Sequence, residues 1–231
     1  MATTGGVNIV TDGLILALDA ANVKSYPGSG ANWYDISGNL YSGSLVNGPT
    51  FDSDNGGNIV FDGVDDVIDI SSAPFIPGTW NYNEVTVMGF IKPKPGKGTD
   101  NNIWTIENSW EVRFNDNGNG RGSLYFASNP WAWKGSSGLI DLDKWQMITF
   151  RHNTSTLKGE LFVNGEKVYN DNINGNLSSG GGYNTMRIMA RHCCGGNHAI
   201  GDLSTTYIYN RALSDKEILQ NYNATKSRFS L

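Results

Sequence analysis

Apolar residues in this chain are gathered into short runs, such as LILAL (residues 14–18) and VTVMGFI (residues 85–91), with turn residues between them. Runs of that length suit strands rather than helices. Glycine accounts for 29 of the 231 residues, against a usual ~7 %, and asparagine is also abundant. Both tolerate the positive φ that tight turns demand. Further strands are expected at residues 43–46, 59–61, 67–70, 103–106, 110–114, 124–127, 145–151, 186–190 and 203–209. In VIDI the alternation puts Val67 and Asp69 on one face and Ile68 and Ile70 on the other. Residues 85–91 are apolar on both faces, which predicts a central strand covered on both sides. The Asn164-Gly165 pair between GELFV and EKV predicts a two-residue hairpin.

One helix stands out against this background. The strand-like TTYIY (residues 205–209) runs through NRALSDKEI into a segment from Ser214 to about Tyr222. Ser214 and Glu217 form a Ser-x-x-Glu capping box, and Leu213 and Ile218 are placed to staple it.

Four phrases in order carry a family resemblance: SYPGSGANWYDISGN (residues 25–39), IVFDGVDDVIDI (59–70), LKGELFVNGEKV (157–168) and RALSDKEI (211–218). Together they resemble the laminin-G-like branch of the concanavalin A-like jelly-roll domains, over roughly residues 8–229. The fold implied is all-β: a two-sheet antiparallel jelly-roll sandwich with a short C-terminal helix. The motif order spans the chain, and an all-β domain commonly reaches ~200–250 residues. Residues 14–231 are therefore expected to be one domain and residues 1–13 an N-terminal arm.

A net charge of −5 and a pI near 5.1 provide no field that would favour nucleic-acid phosphates or anionic lipid. No apolar run approaches the ~20 residues of a membrane span, and the N-terminus lacks the pattern of a secretory signal. No nucleic-acid partner and no membrane insertion are expected. Cys193 and Cys194 are adjacent, a spacing that rarely reaches comfortable disulfide geometry, so they read as thiols, suited to a reducing cytoplasm.

Four groups of residues could carry chemistry. Glucan-cleaving enzymes of this fold place clustered carboxylates at period-two spacing on a concave face. Here the nearest approach is Glu107 with Glu111, four apart in IENSWEV, and no catalytic residue is assigned. Asp62, Asp65, Asp66 and Asp69 crowd into eight residues, the oxygen-rich chemistry a hard cation takes. The resemblance points to calcium held by Asp65 and Asp66, with Asp35, Asn39 and Asp202 as additional ligands; the alternative is turn acids that cap backbone amides. RHCCGGNH (residues 191–198) gathers thiols and imidazoles without matching a zinc spacing. In PWAWK, an extended backbone would present Trp131 and Trp133 on one face, where indoles can stack on sugar rings, or they can pack as cover for a loop.

The wording of residues 8–39 and of NYNATKSRF (residues 221–229) is similar to virion proteins of tailed phages, marine and cyanobacterial ones especially. That resemblance implies a non-enzymatic structural protein on the virion surface, a capsid decoration, fibre or tail component synthesised in the host cytoplasm. It would have other virion proteins as partners, homo-oligomers among its states, and a role in attachment to host-surface glycans. Removing residues 1–13 would then abolish docking without unfolding the domain. The alternative from a different class is a calcium-dependent, lectin-like carbohydrate-binding module.

Overall fold

The computed structural model describes residues 8–231 except 73, 77, 78, 129–131, 174–176 and 178–182. Its first strands are β1 (Leu14–Asp19), β2 (Asn32–Trp33), β3 (Gly43–Val46), β4 (Thr50–Asp52), β5 (Asn58–Asp62) and β6 (Val67–Ile70). The middle of the chain supplies β7 (Glu84–Pro93), β8 (Asn101–Ile106), β9 (Trp110–Asp116), β10 (Arg121–Ser128), β11 (Lys134–Asp141) and β12 (Gln146–Asn153). Then come β13 (Lys158–Val163), β14 (Glu166–Asn172), β15 (Met186–Ile188), β16 (Ile200–Leu203), β17 (Thr205–Tyr209) and the helix α1 (Asp215–Thr225). A single 3-10 turn, Lys226–Phe229, follows the helix.

Two sheets form, with antiparallel pairing between all the named strands. The nine-stranded sheet has the order β14-β13-β12-β7-β16-β5-β4, with β17 also on β7 and β1 on β17. The eight-stranded sheet has the order β11-β10-β9-β8-β15-β6-β3-β2. Their inner faces meet in a core that includes Trp33, Phe61, Ile68, Val87, Trp104, Trp110, Phe126 and Phe150. Burying each such side chain stabilises the fold by roughly 1.5–3 kcal/mol. The sandwich and its C-terminal helix are thus as the sequence leads one to expect.

β7 holds the nine-stranded sheet together. Val85, Val87 and Ile91 face the inter-sheet core, while Met88 and Phe90 face a second cluster beneath α1. Ser204 marks the point where the chain passes from β16 to β17 along the same edge of β7, its N–H donating to the Phe90 carbonyl. Gly89 permits that approach, since a Cβ there would lie 2.1 Å from the Thr205 carbonyl oxygen. At the tip of the β13–β14 hairpin, Asn164 and Gly165 have φ of 53° and 82°, the left-handed pair that a type I′ turn needs.

α1 begins as its capping box dictates. The Ser214 hydroxyl accepts from the Glu217 N–H, and the Glu217 carboxylate accepts from the Ser214 N–H at 2.8 Å. Leu213 and Ile218 are both buried in the second cluster with Phe229. Residues 8–13, assigned to the arm on sequence, lie on this same helix. The Val10 N–H donates to Asn221 at 2.7 Å, its carbonyl accepts from Tyr209 at 2.9 Å, and Arg211 pairs with Asp12 at 2.9 Å.

Candidate functional site: a polar face on the eight-stranded sheet

In WEVRF of β9, Trp110, Val112 and Phe114 point into the core, which turns Glu111 and Arg113 to the outer face. Strand period fixes this alternation. In β10, Leu124 and Phe126 point inward, leaving Tyr125 and Ala127 outward. A register shift between Asn102 and Trp104 in β8 lets Asn102 and Thr105, three apart, share the outer face, where the Asn102 amide donates to the Thr105 hydroxyl at 3.2 Å. Cross-strand pairing lays out one row as Asp69, Arg187, Thr105, Glu111, Ala127. A neighbouring row runs Asn102, Arg113, Tyr125, Gly135.

Over the first row lies Arg191. Its guanidinium is 2.5 Å from Glu107 and 2.9 Å from Glu111, and Asn102 donates to Glu111 at 2.8 Å. Burial pushes the Glu111 carboxyl up to about 7, Arg191 works against that shift, and Glu107 adds to it. The two glutamates are 2 % and 0 % exposed. Neither reaches solvent, and both are spent on one cation. Arg187 pairs with Asp69 at 3.1 Å and donates to the Arg191 carbonyl at 3.1 Å, so the ion pairs interlock.

The second row has an aromatic border. The Arg113 guanidinium carbon lies 3.6 Å from the centre of the Trp133 ring and 5.9 Å from that of Tyr125, while a guanidinium nitrogen pairs with Asp100. Trp133 and Tyr125 are partly exposed. Trp131 lies outside the described residues. Lys134 pairs with Asp171 at 3.1 Å. The Tyr183 ring stacks on His192 at 4.6 Å, and burial holds that imidazole below its usual range.

Of the residues assigned to calcium, the structure brings Asp65 and Asp66 together with Asp62, one oxygen from each lying within 4.8 Å of the others. Asp66 accepts from the Asp62 N–H at 3.0 Å, and Asp62 accepts from the Val64 N–H at 2.7 Å. Burial raises the Asp66 carboxyl; the hydrogen bond from the Asp62 N–H opposes that shift, and the charges of Asp62 and Asp65 add to it. Lys97 donates nearby to the carbonyls of Gly63 and His198. The other three have local duties. Asp35 accepts from the N–H groups of Ala17, Ser37 and Tyr41 and from the Ser37 hydroxyl, at 2.8–3.1 Å. Asn39 donates to the carbonyls of Leu14 and Ile15 at 3.3 Å, and Asp202 pairs with Lys94.

Cys193 and Cys194 are not thiols: they are bonded to each other. The correction has a local cause. Cys193 is extended, with ψ 177°, and Cys194 has φ 60°; these torsions flank the peptide that joins the two residues and set where their side chains point, and the Arg191 N–H closes the turn on the Gly196 carbonyl at 2.7 Å. That turn carries Arg191 and His192 to the polar face. A cleft of about 330 Å³ lies elsewhere, lined by Asp19, Tyr207, Thr225 and Arg228 among others. We place the candidate site on the polar face, because in the cleft Arg228 is spent on Asp19 and Ser204 and the Tyr207 ring is buried.

Arg113, Tyr125 and Arg191 were not singled out on sequence. The signal for the first was present: charged residues at every second position of WEVRF, a strand otherwise apolar, report a face with a purpose other than core packing. Nothing local announces that Arg191 reaches Glu107 and Glu111, 84 and 80 residues back in the chain.

Compared with known structures, the chain is similar to the binding domain of Paraclostridial Mosquitocidal Protein 1, with a TM-score of 0.67 at 15 % identity, over 92 % of this chain and 52 % of that one. Domain 4 of the extracellular arabinanase AbnA from Geobacillus stearothermophilus, solved with arabinotriose, gives 0.65 at 15 %, over 90 % and 98 %. The binding domain of botulinum neurotoxin DC in complex with SialylT gives 0.64 at 14 %, over 93 % and 52 %. The chain spans about half the length of the two toxin domains, and at these identities the likeness is one of fold. None of these three is a virion protein. No curated protein sequence matches the chain. Among the described residues no helix is long and apolar enough to cross a membrane. The profile of the laminin G type covers residues 62–219, and the chain belongs to the concanavalin A-like lectin/glucanases superfamily.

Proposed function

We propose that this chain is a non-catalytic carbohydrate-binding module whose site is the outer face of the eight-stranded sheet, at Trp133, Arg113 and Tyr125. The observation that carries the reading is the Trp133 indole held 3.6 Å from the Arg113 guanidinium, beside a row of planar polar side chains. A partly exposed, pre-positioned aromatic ring with a few convergent polar groups is how proteins hold sugars. The non-catalytic part rests on Glu107 and Glu111. Glycoside hydrolysis needs two carboxyl groups that reach the bond from either side, and these two are buried around Arg191. Two of the similar domains were solved in complex with ligands of this kind, arabinotriose and SialylT, which agrees with the reading. In the setting that the sequence wording suggests, a tailed-phage particle, such a module would serve attachment to the host surface.

The test is a broad glycan array with purified protein, with calcium and with a chelator, followed by the same array with Trp133→Ala. Binding to a defined sugar that is lost in the variant supports the site. A blank array overturns the reading. Chelator-sensitive binding would add a cation at Asp62, Asp65 and Asp66 to the site.

A further inference from the structure

The charges of the polar face are already matched within the chain. Arg113 is paired with Asp100, Arg187 with Asp69, and Arg191 with both Glu107 and Glu111. Four carboxyl groups therefore surround three guanidinium groups, and with Glu111 held partly protonated near pH 7 by its burial each guanidinium still keeps a carboxylate of its own. At the margins Lys134 is held by Asp171, and His192 is kept neutral near pH 7 by its burial.

From this we propose that the face takes uncharged oligosaccharides and discriminates against sugars bearing a carboxylate, such as sialic acids and uronates. The proposal rests on the carbohydrate-binding reading above and names the ligand class of that same site. Recognition of a sugar carboxylate ordinarily uses a guanidinium fork or an ammonium free to engage it. Here an incoming carboxylate would have to displace one of the chain's own, and would sit among acids that repel it. A neutral sugar needs no such exchange. Its apolar face can lie on Trp133, and its hydroxyls can donate to the lone pairs left over on Asp69 and Asp100, the two carboxylates of the face that reach solvent.

The experiment compares matched ligands on the full chain by titration calorimetry: one oligosaccharide with and without a terminal sialic acid, and a neutral galactan fragment against its uronate counterpart. Each is measured at about 50 mM and about 500 mM salt. The expected result is binding to the neutral members, at least about tenfold weaker binding to the acidic ones, and less than about twofold change with salt for the neutral ones. Tighter binding of the acidic members, weakened by salt, overturns the proposal and leaves carbohydrate binding standing. Absence of binding to every ligand overturns both. Asp100→Asn at a half-exposed position releases the Arg113 guanidinium, and the acid-to-neutral gap should narrow several-fold. An unchanged gap in that variant, with its thermal unfolding intact, overturns the ion-pair explanation.

Discussion

Arg113 and Trp133 lie in contact, guanidinium carbon to ring centre 3.6 Å, although one belongs to β9 and the other lies beyond β10. The strand fixes the arginine, Asp100 holds its far side, and the guanidinium in turn holds the indole. The aromatic surface is therefore positioned before any ligand arrives, which spares the ordering cost that weakens flexible sites. Trp133→Ala should weaken binding of whichever glycan the protein takes by roughly tenfold or more, given ~0.5–1.5 kcal/mol for an aromatic contact beyond its area term. Calorimetric titration reads the affinity, and the melting temperature should move little, because the indole is partly exposed. Unchanged affinity would place the glycan elsewhere on the molecule.

Glu111 predicts a pH dependence of opposite sign to that of a surface carboxylate. Its burial raises it from an ordinary 4.5 to about 7, so the folded protein holds a proton that the unfolded chain has released. Stability from this site is full below about pH 4.5 and declines as pH rises through about 7. Glu111→Gln keeps the shape and removes the titration. The difference in unfolding free energy between wild type and variant should change between those pH values by on the order of 1–3 kcal/mol. Urea unfolding at intervals from pH 4.5 to 8 measures it, and a flat difference would mean that Glu111 is ionised throughout.

The sheets were legible because strand-length apolar runs and Asn-Gly turns are local signals, and the helix because its cap, Ser214 with Glu217, is written within four residues. The polar face was only half legible. Glu107 and Glu111 were visible as a spacing, but their burial depends on Arg191, which a turn beyond β15 delivers from far along the chain. Asp35 was assigned to calcium by the family resemblance, and no local signal announces that its carboxylate accepts from Ala17, Ser37 and Tyr41. The cysteine pair misled for a similar reason: rarity of a geometry between neighbours says nothing about one particular turn, here with Cys193 extended and Cys194 at positive φ.

Asp35 itself supplies a stability test. Its buried carboxylate is the common acceptor for three N–H groups and one hydroxyl, which ties the loop after β1 back onto that strand. Asp35→Ala removes the acceptor and leaves the buried donor at Ala17 and the half-buried donor at Tyr41 without partners. Each such group costs ~1–3 kcal/mol, so a loss of roughly 2–4 kcal/mol in chemical unfolding is expected. Added calcium should not restore it. Recovery by calcium would return Asp35 to the role of ligand.

The contacts of Val10 revise what removing the first thirteen residues should do. That deletion takes away a nine-tenths buried valine, leaves the buried Asn221 amide oxygen without the Val10 N–H, and deprives Tyr209 of its acceptor. A destabilisation of roughly 2–4 kcal/mol follows from the lost burial and the orphaned polar groups. Thermal unfolding of the truncated chain reads it directly. An unchanged melting temperature would restore these residues to the role of a detachable arm.

Glu217 closes the series at the acid end. Two hydrogen bonds from Arg211, the nearer at 2.5 Å, and those from the Ser214 N–H and hydroxyl hold its carboxyl down to about 2, against an ordinary 4.5. A depressed value means that the folded state keeps the carboxylate ionised where the unfolded chain has taken up a proton. Its contribution is therefore complete above about pH 4.5 and is lost as pH falls towards about 2. Because the group is partly exposed, salt and water screen part of that shift, and a helix cap of this kind is worth about 1 kcal/mol. Glu217→Ala should cost that amount at pH 7 and almost nothing at pH 2. The measurement is a pair of urea unfolding curves at each pH, and an equal penalty at both would assign the effect to packing of the side chain rather than to its charge.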